Sequence, residues 1–393
     1  MRVCYLAYSA LDLQAANSIQ TFHTCQALAQ RLGQALLVIV PRFSWREPGP
    51  PFRVVKIPRV PINKLSFFIK SSLWSYLERT LYAWLAAGYL GIQRLRGNRY
   101  DAIYSRDVIC AFWMINMGAR VIYEVHDLEA RHPSQVKARW LSNLMQRVDE
   151  RVLSRAVAIV SLTHTFKGEL VSENKKAAES IFVIPDAYDE AVYFPRSREE
   201  ARLALNLPLD AVIVGYAGLT FAYRRLDLLL DALKTWNDPR VRALIIGGRP
   251  FELDELKTRT RELNLESVVI IHGRHSADET ARDLSACDIL VIPDTVTDST
   301  ASPLKMFEYL ALGRAIVAVD RPALREILVD GTAELFRAGD VADMVRALRA
   351  VADNPERRTK MEASAVARAS EYTYARRADK MQSALGSISL FPA

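Results

Sequence analysis

Short apolar runs and longer amphipathic stretches alternate along the whole 393-residue chain. In the first half the runs "RVCYLAYS", "QALLVIV", "DAIYS", "RVIYEV", "AVAIVSL" and "SIFVIP" are short and rich in β-branched and aromatic residues, which predicts strands. Between most of them apolar residues recur with helical spacing, as in Ser18 to Arg31 and Pro133 to Leu153. The second half repeats the habit with "AVIVGYAG", "RALIIGG", "SVVIIHG", "DILVIP", "AIVAV" and "TAELF". Strands alternating with helices predict parallel sheets in βαβ units, and two such sets predict two doubly wound domains. The break falls in "PDAYDEAVYFPRSREEARLALNLPLDA", a charged, proline-punctuated stretch with no strand pattern. From Asp340 onward the chain reads helix after helix, and the last of these must dock on something already built. Loops at the carboxyl ends of parallel strands converge, so a ligand is expected in a cleft between the two sheets.

Composition narrows the class. Half of the residues are hydrophobic and a quarter charged, the profile of a soluble globular protein. The four cysteines are scattered, forming neither a zinc knuckle nor a disulfide framework, so a reducing cytoplasm is expected. The N-terminus runs almost directly into a strand, and no secretion signal is expected.

The net charge of +7 is unevenly placed. Between Arg42 and Tyr100 eleven Lys or Arg face two acids, Glu47 and Glu78, an excess greater than that of the whole chain. Nucleic acid, anionic lipid and phosphorylated substrates all fit such a segment. Its longest uncharged run, Thr80 to Gln93, is too short to span a bilayer comfortably. Two readings stand: a core-facing helix with a solvated basic face, or a helix lying on an anionic membrane surface. The chain has no aromatic-basic motif of a nucleic-acid reader, so that partner is rejected.

The candidate chemistry lies at strand ends. In "DILVIPDTVTDSTASPLKMFEYLALGR" the pattern is strand, loop, helix, with Ser302 as the expected N-cap and Pro303 in the first helical position. The free amides of Leu304 and Lys305, with the lysine charge, make an anion site of the helix start. Glu308 lies one turn deeper on the same face, from where it can accept hydrogen bonds from a ribose. Alternatively it is a capping or salt-bridge glutamate. In "VGYAGLTFAYRRLDLLLDAL", Gly218 opens the loop after a strand. Arg224 and Arg225 stand at a helix start, against the helix dipole, so an anionic ligand or plain solvation must offset them. "IIGGRP" reads as a tight turn. In "VIYEVHDLEARHP" a strand ends at His126 and Asp127, where the histidine can donate to a substrate hydroxyl, take up a proton or be merely structural. Asn17 and Gln20 offer polar groups at the helix start after the first strand. No nucleophile elbow appears, and no His/Asp/Glu cluster has metal-ligand spacing, so no metal is expected.

"SPLKMFEYLALGRAIVA" followed by "REILVDGTAELFRAGD" closely resembles the donor-site signature of glycosyltransferase family 4, whose fold is GT-B. "VGYAG" with "RRLDLLLDAL", "VVIIHGR", "ACDILVIP" and "VIPDAYDEAVYFP" agree in order and spacing. "EYTYARRADKM" resembles the segment where such chains cross back to the first domain. The opening "AANSIQTFHTCQALAQRLG" and "VIYEVHDLEARHP" resemble the N-terminal domain of one branch.

The resemblance implies an α/β GT-B architecture of two Rossmann-like domains facing a central cleft. An acceptor-side domain would cover 1–190 with a returning helix at 373–393, and a donor domain 200–371. It also implies a retaining, metal-independent transfer from a nucleotide sugar, UDP- or GDP-linked, used as co-substrate with no other cofactor. The acceptor would be a lipid-linked, polysaccharide or small-molecule glycan, with the enzyme cytoplasmic or on the inner membrane face. Glu308 matches the ribose-binding glutamate, Arg224 the diphosphate-binding basic residue and His126 the histidine at the donor sugar. Arg274 falls near the nucleobase. Three positions depart from the pattern. Thr300 stands where the family has an earlier glutamate, with Asp298 as its nearest substitute. Leu219 replaces a second diphosphate-binding arginine, and Arg225 replaces a usual glycine. These departures keep open a nucleotide-sugar epimerase or hydrolase on the same fold, or a non-catalytic anion- or membrane-binding relative.

Overall fold

The computed structural model describes residues 1–13, 15–43, 49–62, 72–129, 139–220, 222–295, 297–329 and 331–388. It divides into two compact units, Met1–Pro185 with Tyr374–Ala393, and Asp186–Thr373.

The first unit is built on seven strands: β1 (Val3–Leu6), β2 (Leu36–Arg42), β3 (Val54–Pro58), β4 (Ala102–Ser105), β5 (Val121–Val125), β6 (Ala158–Ser161) and β7 (Ile181–Val183). They form one parallel sheet in the order β3-β2-β1-β4-β5-β6-β7. Six are the expected runs; β3 is an addition. "VVKIP" buries only Ile57, because it is an edge strand defined by pairing with β2 from Val38–Val54 to Arg42–Pro58. Side-chain caps start the helices after β4 and β6: the Asp107 carboxylate accepts from the Cys110 amide at 2.9 Å, and the Thr163 hydroxyl from the Phe166 amide at 3.1 Å. The helical pattern before Leu153 is observed as Arg139–Arg155, and its start, 133–138, lies outside the described residues.

The closing helix, Tyr374–Ile388, belongs to this unit. It packs on the helix Ala16–Leu32, with Arg31 paired to Asp379 at 2.7 Å and the His23 ring stacked on Tyr374.

The second unit holds β8 (Val212–Ala217), β9 (Val241–Ile246), β10 (Val269–His272), β11 (Ile289–Ile292), β12 (Ala315–Val319) and β13 (Ala333–Phe336). Their order is β10-β9-β8-β11-β12-β13, again all parallel. All six were legible as apolar runs. The strandless stretch between the two sets supplies the helix Arg198–Ala204 to this unit, anchored where buried Arg202 meets Asp288 at 2.5 Å. In each sheet the order reverses beside the first strand, at β1/β4 and β8/β11. Loops at the carboxyl ends of such a pair diverge and leave a crevice for a ligand.

The basic segment corrects one expectation. Residues 44–48 and 63–71 of it lie outside the described residues, and the rest is dominated by the helix Ser72–Leu95. One face of that helix packs into the core through Tyr76, Tyr82, Ala83 and Ala86. The solvated face is apolar rather than basic: Leu77, Trp84, Leu85, Ile92 and Leu95 are exposed and recur at helical spacing. Arg79 instead sits inside, beside Asp107 at 3.4 Å and Glu129 at 3.7 Å. Exposed Arg94, Arg96 and Arg99 cluster at the helix's end. Among the described residues, no helix is long and apolar enough to cross a membrane.

Candidate functional site

In the second unit the crevice beside β8 and β11 is framed by backbone that only small residues allow. Gly218, Gly247 and Gly248 all have φ between 87° and 127°. A Cβ on Gly247 would come within 2.5 Å of the Gly218 carbonyl oxygen, so the loops after β8 and β9 pass backbone to backbone. "IIGGRP" is the expected tight turn. Glu252 pins the first loop by accepting from the Thr220 amide and hydroxyl, at 3.3 and 3.1 Å.

The helix after β11, Leu304–Ala311, is anchored by its apolar side. Met306, Phe307, Tyr309 and Leu310 are fully buried, and the Tyr309 hydroxyl accepts from the Ala217 amide at 2.9 Å. Lys305 and Glu308, at i and i+3, occupy the remaining face and are only partly covered. The start of this helix differs from expectation. Pro303 is the N-cap and has no side-chain acceptor to offer; Ser302 lies one residue earlier, where its hydroxyl accepts from the Asp186 amide at 3.3 Å. With no side chain capping it, the first turn leaves the Leu304 and Lys305 amides to a ligand, while the Met306 amide donates to the Pro303 carbonyl at 2.9 Å.

The electrostatics of this face are unusual. The Lys305 ammonium lies 3.7 Å from the centre of the Tyr216 ring, and a Cβ on Gly218 would be 3.0 Å from it. Burial drives the Lys305 pKa well below its ordinary value; nearby Arg224 adds to this and Glu308 opposes it. Burial pushes the Glu308 carboxyl up to about 7, against Lys305 and a hydrogen bond donated by Tyr193. Both groups are thus drawn toward neutrality, and an anion beside Lys305 and Arg224 would restore the lysine charge. Tyr193 is a contributor that sequence reading missed, although it lies within the recognised "VIPDAYDEAVYFP".

The other donor-side candidates fall into place unevenly. Arg224 ends a single 3-10 turn, Ala222–Arg224, and Arg225 follows as the N-cap of the helix Leu226–Trp236. Arg225 has φ 52° and ψ 43°, a left-handed conformation natural to glycine, which accounts for the glycine usual there. Its guanidinium is held by Asp227 at 3.1 Å. Asp298 is two-thirds exposed and tied to Arg321 at 2.6 Å, while Arg321 also grips Asp294 at 2.9 Å. A carboxylate so engaged is a weak substitute for the missing glutamate. Thr300 is buried and shares a hydroxyl contact of 2.5 Å with Thr297. Leu219 is exposed, with its carbonyl accepting from the Tyr216 hydroxyl at 2.6 Å. Arg274 is exposed on the loop after β10.

In the first unit a separate constellation sits at the β1/β4 crevice. His126, just beyond β5, turns its Nε2 to within 2.6 Å of the buried Glu124 carboxylate. Glu124 also accepts from Arg377 of the closing helix at 2.6 Å and from the Tyr104 hydroxyl, and lies 3.2 Å from Arg106 Nε. Burial alone would raise the Glu124 carboxyl; Arg377, the His126 hydrogen bond and Arg106 outweigh it and hold it well below the usual range. Arg106 donates onward to Thr21 at 2.9 Å and to Gln20. Gln20 is therefore a buried support for Arg106 rather than a free ligand group, whereas Asn17 is exposed and Asp127 partly so. Arg106 Nε also approaches His126 Nε2 at 3.0 Å, so the ring is held between a guanidinium and a carboxylate. Arg106, Glu124 and Arg377 were not singled out from the sequence. His272, His275 and Asp283, also not singled out from the sequence, bring their donor atoms within 4.8 Å of one another.

Comparison with known proteins bears on the family and the fold. The family model "Glycosyl transferases group 1" matches residues 197–368, and "Glycosyltransferase Family 4" matches residues 18–192. A D-inositol 3-phosphate glycosyltransferase of Stackebrandtia nassauensis is 27% identical over 252 residues, 61% of this chain and 56% of that relative. The chain spans about half the length of the curated relatives it matches. A sucrose-phosphate synthase structure from Thermosynechococcus elongatus superposes with a TM-score of 0.81 at 18% identity, covering 99% of both chains. An Anabaena protein solved with UDP-glucose superposes with a TM-score of 0.72 at 17% identity, covering 98% of this chain and 99% of that one. The fold is the one these structures share: two parallel-sheet α/β domains of the GT-B type.

Proposed function

We propose that this chain, which belongs to glycosyltransferase family 4, moves a sugar from a nucleoside diphosphate donor to an acceptor hydroxyl with retention and without a metal. The observation that carries the reading is the Lys305–Glu308 face at an uncapped helix start beside β8 and β11, with both charges shifted toward neutral. In this reading the first-turn amides, Lys305 and Arg224 receive the diphosphate, and Arg225 adds a cation where Leu219 has none. Glu308 accepts from the ribose hydroxyls, and Arg274 lies by the base. Cleavage of the sugar–phosphate bond leaves charge on the diphosphate and on an oxocarbenium-like sugar. Fixed cations at the leaving group lower that barrier without a metal ion. UDP is the favoured nucleotide, because the Anabaena structure holds UDP-glucose.

Thermal melting with UDP, GDP, ADP and dTDP, without added metal, tests the donor site. A rise with one nucleotide, lost in Glu308→Ala, is expected. No rise with any of them in a folded sample refutes the reading.

For the acceptor we propose a lipid-linked molecule at the inner membrane surface. The exposed Leu77, Trp84, Leu85, Ile92 and Leu95 stripe, next to Arg94, Arg96 and Arg99, supports this. Flotation with vesicles containing anionic lipid should carry the protein. Replacing Trp84 and Ile92 by Ser should release it, and equal flotation of wild type with neutral vesicles would refute the anionic preference. Transfer to a soluble phosphorylated polyol, the acceptor class in the curated relatives' name, would replace the lipid-linked acceptor.

A further inference from the structure

At the edge of the second sheet three side chains with no part in the proposed donor chemistry converge. His272 ends β10, His275 stands three residues on, and Asp283 lies near the end of the helix Ala277–Leu284. His275 Nδ1 is 2.8 Å from an Asp283 carboxylate oxygen, and His272 Nδ1 is 3.8 Å from the same oxygen. All three donor atoms lie within 4.8 Å of one another. The His275–Asp283 contact is an ordinary hydrogen bond, but it leaves His272 unexplained. Its Nδ1 is sealed from solvent and has no hydrogen-bond partner among the described residues, a situation that disfavours the fold unless something fills it.

We propose that His272, His275 and Asp283 form a transition-metal site that takes Zn2+. Tetrahedral zinc with bonds of about 2.0–2.2 Å places neighbouring ligand atoms about 3.3 Å apart. The observed 2.8 and 3.8 Å straddle that spacing, so small side-chain rotations complete it. Two imidazoles and one carboxylate suit zinc rather than magnesium or calcium, and leave a fourth position to water. The bound ion satisfies the orphaned Nδ1. It also ties the irregular loop carrying Gly273 and Arg274 to the helix Ala277–Leu284, gripping that loop on both sides of Arg274. The role is a staple, separate from the sugar-transfer chemistry.

The test uses the whole protein, stripped with EDTA, dialysed and titrated with ZnCl2 by calorimetry without nucleotide. One equivalent of zinc is expected to bind. His272→Ala and His275→Ala should each lower the affinity about tenfold or more. Trypsin cleavage after Arg274 should slow on adding zinc to wild type and not to His275→Ala. Should either alanine variant fail to fold, Asp283→Asn takes its place in the same titration. The proposal is overturned if no stoichiometric zinc binds, or if binding survives loss of both histidines.

Discussion

The two crevices of this protein handle buried charge in opposite ways. Around His126 the opposite charges are paired with one another: Glu124 is held by Arg377, His126 and Tyr104, and Arg106 is spread over Glu124, Gln20 and Thr21. Around Glu308 burial outweighs the opposite charges and draws lysine and glutamate toward their neutral forms. A saturated network holds a geometry before any ligand arrives. An unsaturated one is costly by itself and is offset by an anion that completes it. In the proposed reading the first crevice positions and the second binds.

The largest expected effect separates them by stability. Glu124→Leu strips the carboxylate from buried Arg377 and Arg106 and should destabilise the first unit by about 3–5 kcal/mol, read by urea denaturation. Lys305→Met should do the reverse: stability unchanged or raised, and the nucleotide-dependent rise in melting temperature abolished. If Lys305→Met unfolds the protein as readily as Glu124→Leu, the contrast between the crevices fails.

A pH series sharpens it. The folded Glu308 pKa of about 7 lies above its ordinary 4.5, so the native state holds its proton where the unfolded chain has lost it. This group's contribution to stability is therefore full below 4.5 and falls away as pH rises toward 7, and Glu308→Gln should flatten that slope. Nucleotide binding runs the other way, since the ribose needs an ionised acceptor. Affinity measured by calorimetry should weaken about tenfold per unit below pH 7, and a pH-independent affinity would remove Glu308 from the ribose.

The smallest expected change concerns Arg225. Arg225→Gly relieves a left-handed backbone and should stabilise the fold by about 1 kcal/mol, while weakening nucleotide binding several-fold. A variant that is stabilised with unchanged binding would show the arginine to be a bystander.

The donor side was largely legible because its residues are local. Lys305 and Glu308 share one helix turn, Arg224 and Arg225 are adjacent, and each follows a strand whose apolar run announces it. Pro303 as N-cap escaped, since helix limits shift by a residue without changing the pattern. On the positioning side His126 and Gln20 were legible, but the charges that hold them were not. Glu124 reads as an unremarkable polar residue within "RVIYEV", and its partner Arg377 is 253 residues away. Likewise β3 became a strand only by pairing with β2, and His272 meets Asp283 only across a loop and a helix.

What the sequence determined by itself is periodic and local: twelve of thirteen strands, two parallel sheets, and a helix start carrying a lysine and a glutamate. Side-chain alternation, turn residues and helical spacing are encoded within a few neighbouring positions. The tertiary structure alone decided which charges are buried, which are answered, and that the outer face of Ser72–Leu95 is apolar. Burial and pairing depend on segments brought together by the chain's crossings, and desolvation acts only once they have met.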